Sequence, residues 1–164
     1  MVSYRDSAVD TDAALALLTE YFSFRRESFP ATMGEYKATF PTPEDFVLPH
    51  GVFLVVEGEG LDGDAADVGC GGIRQIEPGA AGLVRFEVKH LWIRPFARGG
   101  GLGRALLAEL ERRARELGAE ELVLDTNDSL DAAGSLYRST GFTSIAPYND
   151  NPNATTWYGK VLAR

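Results

Sequence analysis

Between residues 94 and 107 the chain reads RPFARGGGLGRALL, with three consecutive glycines and a fourth two residues later. Glycine inside a helix costs about 1 kcal/mol relative to alanine, so this cluster at a helix entrance needs a reason. A helix start leaves about four backbone N–H groups without partners and carries a partial positive charge. Phosphate oxygens satisfy both, provided that no side chain blocks the approach. Gly99, Gly100, Gly101 and Gly103 clear that approach around Leu102, and Arg98 and Arg104 place positive charge at the rim. The pattern predicts an anion site on the backbone of residues 98–104.

Two familiar phosphate turns fit poorly. The P-loop is excluded because no lysine follows the glycines. A dinucleotide fingerprint G-x-G-x-x-G could start at Gly101, with Asp125 at the distance of a ribose contact. It fails at Leu106, where glycine or alanine is needed, and residues 95–98 separate strand from glycines. A nicotinamide-dependent oxidoreductase would rest on Gly101, Gly103 and Asp125 alone.

Periodicity locates the elements that must carry the turn. Residues 11–27 read as an amphipathic helix with Asp10 as N-cap, since Ala14, Leu17, Leu18, Tyr21 and Phe22 share a face. Pro30 ends it. Residues 31–51, interrupted by Pro41, Pro43 and Pro49, form a long loop with a short helix near Glu44, a kind of segment that is often functional. Strands are expected at 52–57, 68–76 and 83–93, the first two joined by a glycine- and aspartate-rich turn. Leu102, Leu106, Leu110, Ala114 and Leu117 mark a second helix, and Gly118 its end. A strand at 121–125, a helix at 130–140 closed by Gly141, and strands at 142–146 and 155–162 complete the chain. Antiparallel strands followed by β–α–β–α–β predict a mixed α/β sheet with helices on both faces.

Bulk properties narrow the function. The chain has 164 residues, 45% hydrophobic and 24% charged, which fits one soluble domain over residues 1–164. It holds no apolar run of about 18 residues, and its N-terminus lacks the pattern of a secretory signal. One cysteine, Cys70, cannot close an internal disulfide. These features point to the cytoplasm. The net charge of −8 argues against a nucleic-acid partner. His50, His90 and Cys70 lack metal-ligand spacing, so no metal is expected. Cys70 reads as a small strand residue rather than a nucleophile.

Arg98-Gly-Gly-Gly101-Leu-Gly103 fits R-x-x-G-x-G, and this resembles the pyrophosphate motif of GNAT-superfamily N-acetyltransferases. FEVKHLWIRPFARGGGLGRALLAELERRARELG is similar to the superfamily's fourth strand, loop and helix. AAGSLYRSTGF is similar to its A-x-x-L-Y-x-x-x-G-F helix end, and PYNDNPNATTWYGKVL to a bacterial subgroup of small members. The likeness covers residues 52–162.

The resemblance implies a mostly antiparallel sheet whose one parallel pair splays apart, and acetyl-CoA as cosubstrate. Its pyrophosphate would lie on residues 98–104 and its pantetheine arm along Leu91, Trp92 and Ile93. Glu87, on the same strand face as Ile93, falls where several members carry a general base, and Tyr137 falls where the CoA sulfur is protonated. Asparagine, common three residues before the alanine of A-x-x-L-Y, is Leu130 here, and Asn127 is the substitute for that contact to CoA. Arg74, Arg25, Tyr148 and Asn149 are the candidates for the acceptor side. The implied reaction is N-acetylation of a small amine, amino acid or peptide, in a chain that could pair as a homodimer. A non-catalytic acyl-CoA sensor of the same fold is the alternative.

Overall fold

The computed structural model describes residues 1–163. Its elements are β1 (Ser3–Asp6), α1 (Asp12–Glu27), β2 (Gly51–Glu59), β3 (Ala65–Ile76), β4 (Arg85–Ile93), α2 (Leu102–Glu116), β5 (Glu121–Thr126), α3 (Asp131–Ser139), β6 (Thr143–Ile145) and β7 (Thr156–Val161). Among the described residues the strands form one sheet in the order β1-β2-β3-β4-β5-β7-β6. Every pairing is antiparallel except that of β4 with β5. No helix among the described residues is long and apolar enough to cross a membrane.

Strand alternation divides the core in two. On one face Val52, Leu54, Ile73, Phe86, Val88, Leu122 and Leu124 pack beneath Leu106, Leu107, Leu110 and Ala114 of α2. On the other, Phe53, Val55, Cys70 and Trp92 meet Ala14, Leu17, Leu18 and Phe22 of α1. The two helices thus cover opposite faces, as the α/β pattern requires.

Two local expectations are corrected. The N-cap of α1 is Thr11 rather than Asp10: Thr11 is extended, and its hydroxyl accepts from the Ala14 amide at 3.2 Å. Strand β1 had no signal in the sequence, because it is a four-residue edge strand with little buried surface and hence no apolar alternation.

The parallel pairing is brief. Arg85, Phe86 and Glu87 pair with Glu121, Leu122 and Val123, and there it stops. Beyond Glu87, β4 stays with β3 and β5 stays with β7. The β3–β4 ladder also slips between Cys70 and Gly72, where β4 carries the extra residue. Next to this bulge, a Cβ at Gly69 would lie 2.5 Å from the Trp92 carbonyl oxygen, so glycine permits the close approach.

Leu110 is fully buried between α2 and the sheet. Leu110→Ala is expected to lower the unfolding free energy by about 2–5 kcal/mol in a urea titration. A loss below about 1 kcal/mol would show that α2 does not anchor this face.

Candidate active site

Where β4 and β5 part, a cavity of about 920 Å³ opens. Residues 88–93 of β4 form one wall and residues 124–126 the other, with α1, the glycine turn and α3 closing the sides. The outer backbone edge of β4 beyond Glu87 faces this gap instead of a neighbouring strand.

The glycine turn stands at one end. Gly99 and Gly101 have φ of +91° and +82°, a region that favours glycine. A Cβ added at Gly99, Gly100 or Gly101 would meet nothing within 4 Å, so the surface above the turn is open. Among the described residues, no protein acceptor faces the amides of residues 99–104. The first bond into α2 runs from Ala105 to the Gly101 carbonyl. Arg98 donates from Nε to the Ile93 carbonyl at 2.9 Å and lies over the Trp92 ring at 4.8 Å, which ties the turn to the end of β4. Arg104 bridges to the Ser139 hydroxyl at 2.8 Å.

Leu91, Trp92 and Ile93 line the cavity, as do Arg98, Gly99, Gly101, Leu102, Gly103 and Arg104. Gly100 sits in the turn between them. Tyr137 also lines the cavity, with its ring held between Phe142 and Tyr158. Among the described residues nothing hydrogen-bonds its hydroxyl. Burial, with smaller contributions from Tyr21 and Asp125, pushes the phenol up, so it is a protonated donor at neutral pH.

Other expected residues are engaged elsewhere. Glu87 is 1% exposed and lies off the cavity wall. Its Oε1 accepts from Nε and Nη2 of Arg74, both at 3.0 Å, and its Oε2 accepts from the Tyr148 hydroxyl at 2.6 Å. Burial and the Glu87 carboxylate push the Tyr148 phenol up. Arg74 also reaches Asp45 at 3.6 Å. Arg74, Glu87 and Tyr148 therefore form a closed cluster at the joined end of β4 and β5. Asn149 donates to Asp125 at 2.7 Å and accepts from Trp157 at 2.9 Å, which fixes the loop between β6 and β7. Asn127 is buried, donates to the Asn153 carbonyl at 3.1 Å and accepts from the Ser129 amide at 3.0 Å; it does not line the large cavity. Arg25 does line it, beside Tyr21.

Two polar residues on the wall, Asp125 and His90, were weighed in the sequence only as a ribose contact and as a metal ligand, not as part of this cavity. Asp125 had a readable signal: it alternates with Val123 at the C-terminal end of a strand, where α/β sheets bind ligands. His90 occupies the bulge with φ of +58°, and its carbonyl accepts from the Cys70 thiol at 3.5 Å. Its ring packs among Tyr21, Phe22 and Phe46. Nδ1 of His90 and Nε1 of Trp92 are buried without a partner. Burial, then Lys89, Arg74 and Arg25, lowers the His90 pKa to about 3.

Residues 13–142 match the acetyltransferase (GNAT) family. An uncharacterised N-acetyltransferase of Schizosaccharomyces pombe is 39% identical over 113 residues, which are 69% of this chain and 64% of that relative, just under two thirds of its length. The IAA acetyltransferase of Azospirillum brasilense is 31% identical over 137 residues, covering 84% of this chain and 81% of that one. The likeness thus reaches beyond bacteria. In three dimensions, the chain is similar to N-acetylglutamate synthase of Neisseria gonorrhoeae complexed with coenzyme A and N-acetyl-glutamate. There the TM-score is 0.70 at 18% identity, over 100% of this chain and 36% of that one, a likeness of fold.

The lowered His90 pKa carries a stability signature. Below about pH 6.5 the unfolded chain takes up a proton that the folded chain refuses until about pH 3, so stability falls as pH falls through that window. Between pH 7 and pH 5 the loss from this group is about 2 kcal/mol. His90→Asn, which tolerates the left-handed backbone, is expected to remove that part of the slope in urea titrations at the two pH values. An identical slope in both proteins would contradict the buried neutral imidazole.

Proposed function

The chain belongs to the GNAT family of acetyltransferases, and on that premise we propose that it moves an acetyl group from acetyl-CoA to a primary amine by direct attack in a ternary complex. The acceptor is a small molecule, an amino acid or a peptide terminus. The observation that carries this reading is the bare glycine turn at one end of the cavity between β4 and β5, with its amides free and its surface open. Acetyl-CoA supplies an activated acyl group as a thioester.

The residues present fit such a donor. Amides of residues 99–104 suit a pyrophosphate, and Arg98 and Arg104 add charge beside it. The unpaired edge of β4 at Leu91, Trp92 and Ile93 offers backbone partners to an extended amide-containing arm. An N–H on that edge also stabilises negative charge developing on the thioester oxygen. Tyr137 donates its proton to the departing sulfur. The ammonium would release one proton to solvent, and the amine nitrogen would bond to the acetyl carbon as the C–S bond breaks. Tyr137 would protonate the leaving sulfur, and the second proton lost by the nitrogen would restore the Tyr137 phenol. In this reading Glu87 positions β4 through Arg74 and Tyr148, because it is buried, lies off the cavity wall and is ion-paired to Arg74.

An amine panel followed by thiol release and product mass tests the reading. Turnover of no amine by protein that binds acetyl-CoA would overturn it in favour of an acyl-CoA sensor. Tyr137→Phe is expected to lower kcat by about a hundredfold or more while the KM for acetyl-CoA changes by less than about threefold. Unchanged kcat would remove Tyr137 from the mechanism.

A further inference from the structure

Of the charged side chains that line the cavity, Asp125 of β5 and Arg25 of α1 have no ion-pair partner among the described residues. Asp125 lies two residues beyond the last parallel pair, Glu87 with Val123, and so on the same sheet face as Glu87, the face covered by α1. Its Oδ1 accepts from the Asn151 amide at 3.1 Å and its Oδ2 from the Asn149 amide at 2.7 Å. Both donors are neutral. Among the described residues no lysine, arginine or histidine pairs with it. The asparagines fix the carboxylate in place and leave its charge standing.

Arg25 answers it from α1. Its guanidinium donates to the Tyr21 hydroxyl at 3.3 Å and lies 5.9 Å from the Tyr21 ring centroid and 5.3 Å from that of Tyr36. No carboxylate reaches it among the described residues. Two aromatic rings thus hold a cation in place while its charge stays unpaired. Several other charged groups are paired, Arg94 with Glu20, Arg85 with Glu121, Lys160 with Glu111, and Arg74 with Glu87 and Asp45. Arg98 and Arg104 of the lining belong to the glycine turn, and Asp131 to the start of α3. Lys89 also lines the cavity, on the β4 side, and does not pair with Asp125.

Both charges are half-buried, where an opposite partner is worth more than in bulk water. Here Arg25 of α1 and Asp125 of β5 line one cavity and make no ion pair with each other. We infer that the acceptor is a small zwitterion, an amine with a carboxylate a few bonds away, whose ammonium docks on Asp125 and whose carboxylate docks on Arg25. The inference rests on the transferase reading for the direction of the amine: Asp125 and Tyr137 line the same cavity as the splayed edge of β4, so the ammonium is brought to the acyl end. Arg25 and Asp125 are positioning residues for the acceptor.

The test is binding, read apart from turnover. Each proteinogenic α-amino acid is titrated calorimetrically into the protein with CoA present, alongside its amide and its decarboxylated amine. At least one amino acid is expected to bind about tenfold or more tighter than its amide. Arg25→Gln should abolish that preference, and Lys89→Gln should keep it. Asp125→Asn, checked for fold by circular dichroism and for CoA binding, should abolish the preference for the free amine over its N-acetylated form. Equal binding of amides and amino acids, binding of no amino acid, or a preference that survives Arg25→Gln would overturn the assignment. Failure of CoA itself to bind would be visible in the same cell, and would strike the donor reading instead.

Discussion

The constraint on which the rest depends is the place where β4 and β5 stop sharing hydrogen bonds. A strand in the middle of a sheet normally has partners on both sides, because buried backbone groups without them are costly. Here one side of β4 is released after Glu87. The sheet tolerates this because β4 is still held by β3, and β5 by β7. The gap becomes a cavity whose wall is main chain, suited to an extended ligand with amides of its own. The glycine turn lies at one end of that wall, so the same crossover supplies a cradle for an anion and an edge for what is attached to it.

The joined end of the V is secured by charge. Glu87 is paired through its backbone to Arg74 on one side and Val123 on the other, and its carboxylate repeats the bond to Arg74. Tyr148 completes the cluster from the far side of the chain. Such a buried pair is a poor source of net stability, but breaking it leaves an uncompensated charge, so it fixes geometry well. The open end follows a different logic. There the cavity lining includes a neutral imidazole, a protonated phenol and the unpaired charges of Arg25 and Asp125. Irregular backbone appears at this end too, with His90 held in a left-handed conformation in the bulge between the Gly72–Lys89 and Cys70–Trp92 pairs.

Much of this was legible in the sequence because its signals are local. The stripe of α2, the glycine turn and the apolar run of β4 each carry their own periodicity, and together they carried the likeness to the acetyltransferases. The spacing of Glu87 put it on the same strand face as Ile93, but the bulge at His90 shifts the alternation, so Ile93 packs under α2 while Glu87 faces the α1 side. What the spacing could not show is that Arg74 lies opposite, since that depends on the register of β3 against β4, or that Tyr148 arrives from 61 residues away. Asn127 and Asn149 read in the sequence as contacts to CoA and to the acceptor. Their bonds within the protein were not legible, because together with Asn153 they form a ladder between distant segments that ties β5, β7 and the backbone of Lys37 together. Asp125 was considered only as a ribose partner, because nothing local revealed that its neighbours would be amides. The φ of His90 has no sequence signature at all.

The central claim is that the free amides above the glycine turn hold the pyrophosphate of acetyl-CoA. Gly100 is the place to test it, since its φ lies outside the glycine-favouring region and a side chain there meets nothing in the protein. Calorimetric titration of acetyl-CoA into the wild type and into Gly100→Glu is the direct measurement. The account predicts micromolar binding to the wild type and a loss of about a hundredfold or more in the folded variant, where a carboxylate stands over the turn. Binding of equal strength in both proteins, or none to the wild type, would contradict it.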